Sequence, residues 1–198
     1  MKINETYLLP KNNYFEVENI KKQIIIGNTF NHDMRHIIGW LNRFNGKYKK
    51  TAAFTIDAAG IVYKHFEPSY QSEYFSDLEL NNKSIVILLE NDGWLTKNTE
   101  NNEFISSQGY IYKGENIFYK KWRDYNYWSP YTEEQMKSLV LLSKELCKEF
   151  FIPLAAMTHN TKVEDLENYK GILYKSNLAK HYTDVSPAFD FDYFINNI

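Results

Sequence analysis

Apolar positions in this chain fall into short runs whose period changes along the sequence. After a polar leader, residues 23–26 (QIII) form a continuous apolar run that reads as a short buried strand, stopped by Gly27 and Asn28. From Asp33 onward, Met34, Ile37, Ile38 and Leu41 recur at helical spacing, with Asp33 as the N-cap. Phe44-Asn45-Gly46-Lys47 reads as a turn. Residues 51–57 (TAAFTID) and 61–66 (IVYKHF) flank Ala58-Ala59-Gly60, the pattern of two strands joined tightly. Residues 84–90 (SIVILLE) are almost wholly apolar, which predicts a central strand covered on both faces.

The second half has a different texture. Residues 94–130 are rich in aromatics, Lys and Asn, and 109–119 alternate around Lys113-Gly114-Glu115-Asn116. This predicts a hairpin or loop elaboration with its turn at those four residues, and no separate domain. Thr132-Glu133-Glu134-Gln135 is a capping-box pattern. Met136, Leu139, Val140, Ser143, Leu146, Cys147 and Phe150 then share one helical face, ended by Phe151-Ile152-Pro153. The remaining segment reads as loop-rich, closing with a short aromatic helix near 190–195. Strands interleaved with helices predict an α/β domain over residues 1–198, with its core at about 22–195 and a mixed sheet flanked by helices.

Composition narrows the function classes. The 198 residues are 43% hydrophobic and 24% charged, ordinary for a folded domain. A net charge of -2 gives the whole molecule no electrostatic case for nucleic acid or an anionic membrane. No apolar run suits a signal peptide or a membrane span. The single cysteine, Cys147, excludes an internal disulfide and lies on an apolar helix face, as a buried thiol does. Neither of the glycine-rich nucleotide motifs nor a G-x-S-x-G elbow occurs. The basic clusters Lys47, Lys49, Lys50 and Lys120, Lys121, Arg123 read as solvated surface.

The motifs in order are residues 24–29 (IIIGNT), 54–60 (FTIDAAG), 84–90, the Thr132–Gln135 box, Phe151-Ile152-Pro153 through Thr158-His159, and 183–189 (TDVSPAF). This order resembles the zinc-dependent N-acetylmuramoyl-L-alanine amidases and peptidoglycan-recognition proteins over roughly residues 22–195. The texture also resembles endolysin-like amidases of bacteriophages. The resemblance implies peptidoglycan or muropeptide as partner, and hydrolysis of the muramoyl–L-alanine amide. It also implies one zinc ion held by two His and an Asp or Cys, with a Tyr, Glu or Lys nearby for protons and the oxyanion.

Carried over by position, His159 matches the second ligand and Asp184 the third. The first falls at Gly27, which has no side chain, or at Asn28; His32, His36 and His181 are possible substitutes. The implied metal set is therefore His159, Asp184 and Asn28. The family's glutamate falls on Leu88, with Glu90 two residues on and on the same strand face. Its tyrosine falls on Ala52 or Ala53, and its lysine falls near Tyr182. Glu90 and Tyr182 are thus the implied catalytic groups.

Plainer readings stand beside these. His159 also reads as a surface or capping residue, Asp184 as a turn residue, His36 as part of a polar helix face, His181 as a solvent-facing loop residue, and Glu90 as a loop cap. Three functions stay open: a zinc hydrolase, a muropeptide-binding protein that does not cut, or a scaffold reused for another ligand or protein. In the second, Tyr110, Tyr112, Trp122, Tyr125, Tyr127 and Trp128 would wall the groove.

Overall fold

The computed structural model describes residues 2–198. In chain order its elements are β1 (Ile3–Asn4), β2 (Gln23–Asn28), α1 (Arg35–Asn42), β3 (Phe54–Ile56), β4 (Val62–Lys64), α2 (Leu78–Lys83) and β5 (Ser84–Leu89). They continue with β6 (Trp94–Lys97), β7 (Phe104–Ser106), β8 (Phe118–Trp122), β9 (Tyr125–Trp128), α3 (Glu133–Glu149), β10 (Gly171–Tyr174), α4 (Lys175–Leu178) and α5 (Phe191–Asn197).

Six strands make a mixed sheet in the order β1-β4-β3-β5-β2-β10. The two apolar runs expected to be buried lie side by side at its centre: β5 and β2 are parallel, with Ile24 opposite Ile85 and Ile26 opposite Ile87. Every residue of both strands is buried, so helices and loops cover both faces. The pair expected around Ala58-Ala59-Gly60 is antiparallel, Phe54 opposite Lys64. Gly60 has φ +79° and a Cβ there would lie 2.6 Å from the Glu134 carbonyl oxygen, so this turn requires glycine.

Helix α3 packs its Met136, Leu139, Leu146 and Cys147 face into the core. Thr132 caps it by accepting the Gln135 amide hydrogen at 3.1 Å. Gln135 does not return the bond to the cap. Its Nε2 donates to the Ile56 and Glu90 carbonyls at 2.9 and 3.1 Å, tying the helix start to the ends of β3 and β5. Burial pushes the Cys147 thiol up to about 11, and Asp190 caps α5 through the Tyr193 amide at 2.8 Å.

The structure departs from the sequence expectations in three places. Asp33 does not cap α1: Asp33 and Met34 both have positive φ, 56° and 54°. The helix's free amides go instead to Glu90 Oε1, which accepts from Met34 at 3.2 Å, and to Asn31 Oδ1, which accepts from His36 at 3.2 Å. Residues 94–128 hold a second, four-stranded sheet, β7-β6-β9-β8. Its β8–β9 reversal is made at Arg123, φ +53°, and not at 113–116. Lastly, the segment read as loop-rich contains β10, which pairs in parallel with β2 along its whole length. Among the described residues no helix is long and apolar enough to cross a membrane.

Candidate functional site

β10 ends at Tyr174, opposite Ile26, while β2 runs on to Asn28 beside β5. Lys175 therefore leaves the sheet next to Gly27, at the flank of the last two residues of β2 that β10 leaves unpaired. Asp184, on the loop after α4, lies over this point with a side-chain exposure of 1%. Its Oδ2 is 3.3 Å from Lys175 Nζ and accepts the Asn28 amide hydrogen at 3.0 Å. The carboxylate occupies the space that a side chain at residue 27 would take: a Cβ on Gly27 would come within 2.7 Å of the same oxygen.

Aromatic rings enclose the Lys175 ammonium. It lies 4.7 Å from the ring centre of Tyr182, 5.4 Å from Tyr74 and 5.9 Å from Phe30. Burial alone would push Lys175 down, but the neighbouring Tyr74 and Asp184 outweigh it and hold the group above its ordinary value. It is therefore a cation at every physiological pH. Arg123 reaches in from the β8–β9 turn, donating to the Ser176 carbonyl at 3.2 Å, and Asp184 is among the charges it feels.

Asn28 is 2% exposed, and its orientation is fixed by a relay. The Tyr131 hydroxyl accepts the Ser186 amide hydrogen at 3.1 Å, so its own hydrogen is donated to Asn28 Oδ1 at 3.0 Å. That turns Asn28 Nδ2 the other way, where it has no partner.

A cleft of about 430 Å³ opens above these groups, lined by Asn28, Phe30, Arg35, His36, Trp40, Arg43, Lys50, Tyr74, Lys175 and Tyr182 among others. His36 forms part of its wall from below. His65 Nδ1 faces the Tyr7 carbonyl at 3.0 Å and must carry its proton, so His65 Nε2 accepts from Thr55 Oγ1 at 2.9 Å. Thr55 Oγ1 in turn accepts from His36 Nε2 at 3.0 Å. Both rings are neutral: burial pulls His36 down to about 3 and His65 to about 4.

The remaining residues singled out in the sequence lie elsewhere. His159 is exposed, on the segment whose Ala156 bridges Ile172 at the outer edge of β10. β10 thus separates it from β2. Its Nδ1 accepts from Thr161 Oγ1 and the Thr161 amide, at 2.8 and 3.3 Å. His181 is exposed and tilted against Tyr182, ring centres 4.1 Å apart. His32 pairs with Asp92 at 3.1 Å and lines a second cleft of about 600 Å³.

Glu90 lines that second cleft too, and its carboxylate is tied to backbone: Oε1 to Met34 and Oε2 to the Ala58 amide, each 3.2 Å. Burial nonetheless raises it above the usual carboxylate range. The proposed aromatic wall is largely packed on itself, with Trp128 fully buried, Tyr125 stacked on Trp94 at 4.2 Å and Tyr127 against Phe104 and Tyr119.

Of the implied metal set, Asp184 and Asn28 come together and His159 does not. Zinc needs three good donors and an open fourth position. Here Asp184 Oδ2 is held by Lys175 and the Asn28 amide, leaving one unpartnered oxygen, Oδ1; Gly27 has no donor, and the Asn28 oxygen is taken by Tyr131. Among the described residues no group of three or more His, Cys, Asp or Glu is placed to hold a metal ion. The residues at this site do not fit zinc. Lys175 went unnoticed in the sequence because residues 171–174 (GILY) were not read as a strand, although the rule applied to residues 23–26 covers them.

The sequence profile of the N-acetylmuramoyl-L-alanine amidase family matches residues 18–173. The chain belongs to this family. Solved amidases share its fold. AmiD from E. coli, in complex with anhydro-N-acetylmuramic acid-L-Ala-D-gamma-Glu-L-Lys, aligns with a TM-score of 0.57 at 15% identity, covering 98% of this chain and 66% of that one. The amidase LysC from Clostridium intestinale aligns at 0.52 and 14% identity, covering 98% and 95%. AmpD aligns at 0.51 and 12%, covering 100% and 99%. No curated protein sequence matches significantly. The mixed sheet with flanking helices is thus the amidase fold, carrying an ion pair at the end of β10, beside Gly27.

Proposed function

We propose that this amidase-family protein binds peptidoglycan fragments in the cleft above Lys175 and does not cleave them through zinc. The observation that carries this reading is the Lys175–Asp184 pair at 3.3 Å. A carboxylate that would serve as a metal ligand is neutralised by an ammonium one residue beyond β10, over a glycine. One positive charge takes over the electrostatic part of a metal's role without its capacity to activate water.

The cleft suits a sugar–peptide fragment. Its volume, about 430 Å³, lies within the range of small-molecule sites. Phe30, Trp40, Tyr48, Tyr74 and Tyr182 give it aromatic surface, and Asn28, Thr29 and Asn31 give it polar groups. Tyr182, expected as a proton or oxyanion group, acts here as one wall of the Lys175 enclosure. Glu90 acts as a backbone clamp for α1 and the β3–β4 turn.

The test is co-sedimentation with purified peptidoglycan, run beside mass spectrometry of the soluble products with zinc supplied. The expected result is retention on the wall without release of the peptide stem from muramic acid. Amide cleavage that requires added zinc would overturn the reading.

A further inference from the structure

We propose that the floor of the 430 Å³ cleft is an oxyanion site, taking a carboxylate or phosphate carried by the bound fragment. This rests on the reading of the cleft as a wall-fragment site and adds what that site selects.

Two observations converge on an anion. The first is charge: Arg35, Arg43, Lys50 and Lys175 line the cleft and no Asp or Glu does, in a chain whose net charge is -2. Asp184 balances Lys175 from beneath, and exposed Asp33 lies 3.8 Å from Arg35. Arg43 and Lys50 therefore leave the cleft with an excess of positive charge, which a low-dielectric pocket concentrates.

The second is placement. Lys175 lines the cleft and its Nζ spends one hydrogen on Asp184, leaving others for a ligand. A zinc site with an open position attracts ligand oxygens. A lysine ammonium attracts them too, and favours those that carry full charge. The basic cluster at residues 47–50 divides accordingly: Lys49 donates to the Tyr14 carbonyl at 2.8 Å, away from the cleft, and Lys50 lines it.

The experiment is titration calorimetry of the whole chain at low and moderate salt with three probes. These are N-acetylmuramic acid, whose lactyl carboxylate is free, its neutral methylamide, and inorganic phosphate. The free acid or phosphate is expected to bind at least about tenfold more tightly than the methylamide, with affinity falling as salt rises. Acid alone would identify a carboxylate as the ligand group, phosphate alone a phosphate, and either supports the site. Arg43→Ala and Lys50→Ala, both on exposed residues, should each weaken binding severalfold without unfolding the protein. Equal affinity for acid and methylamide, or no binding of any probe, overturns the proposal. Co-sedimentation with peptidoglycan is scored separately, so retention on the wall without oxyanion preference would sink this inference and leave the binding function standing.

Discussion

Lys175 Nζ lies 3.3 Å from Asp184 Oδ2, and that oxygen also accepts the Asn28 amide hydrogen at 3.0 Å. The pair sits where β10 ends beside Gly27 of β2, with Asp184 at 1% and Lys175 at 15% side-chain exposure. Burying two charges is costly; Asp184 Oδ2 is offset by Lys175 and the Asn28 amide, Oδ1 is left without a partner, and the aromatic rings of Tyr74 and Tyr182 complete the enclosure around the ammonium. In the proposed reading the same pair withholds this carboxylate from a metal.

Breaking the pair on one side should be severe. Lys175→Met leaves Asp184 buried without its cation and is expected to lower stability by about 3–5 kcal/mol. The double substitution Lys175→Met with Asp184→Asn should recover part of that loss. Urea denaturation of both variants checks the prediction, and a double variant no more stable than Lys175→Met would contradict it.

Gly27 is required by space. Gly27→Ala brings a Cβ within 2.7 Å of Asp184 Oδ2, which cannot retreat without losing Lys175 or the Asn28 amide. The expected cost is about 1–3 kcal/mol. A denaturation midpoint equal to that of the unmodified chain would show that the carboxylate moves freely.

Tyr131→Phe removes the hydroxyl between Ser186 and Asn28. Ser186 then has a buried amide hydrogen with no acceptor, at a cost of about 1–3 kcal/mol. The orientation of Asn28 is released as well. Hydrogen exchange at Ser186 should accelerate relative to the core of β2, and unchanged protection there would count against the relay.

The buried imidazoles predict acid lability. His36 and His65 titrate near 3 and 4 in the folded chain, against about 6.5 when unfolded. Between those values the unfolded state binds more protons, so the stability these groups contribute is complete above pH 6.5 and is lost as pH falls toward 4. His36→Phe should reduce the proton uptake on unfolding at pH 5 by about one. An unchanged slope of stability against pH in that variant would contradict the neutral His36–Thr55–His65 chain.

The core was readable in the sequence because its strands are continuous apolar runs and its long helix has a side-chain cap. β2, β5 and α3 lie where the pattern puts them, and Asp190 starts the last helix. The ends of elements were harder, because their caps come from distant residues. Glu90, not Asp33, satisfies the start of α1 from across the sheet. β10 is only four residues long, and its pairing with β2 spans most of the chain. Missing it shifted attention to His159, which lies before β10 on the outer edge, and away from Lys175 immediately after it. Asp184 stood out, as a metal ligand, because its segment is short and motif-like. Its partner was not, since a lysine after a short apolar run carries no metal-site signature.

Metal content decides the central claim most directly. The protein should be purified without chelators, with zinc supplied, and zinc per chain measured by elemental mass spectrometry beside Asp184→Ala and His159→Ala. The account predicts far less than one zinc per chain in all three proteins. About one zinc per chain in the unmodified protein, lost in Asp184→Ala, would contradict it and show that Lys175 yields the carboxylate to a metal.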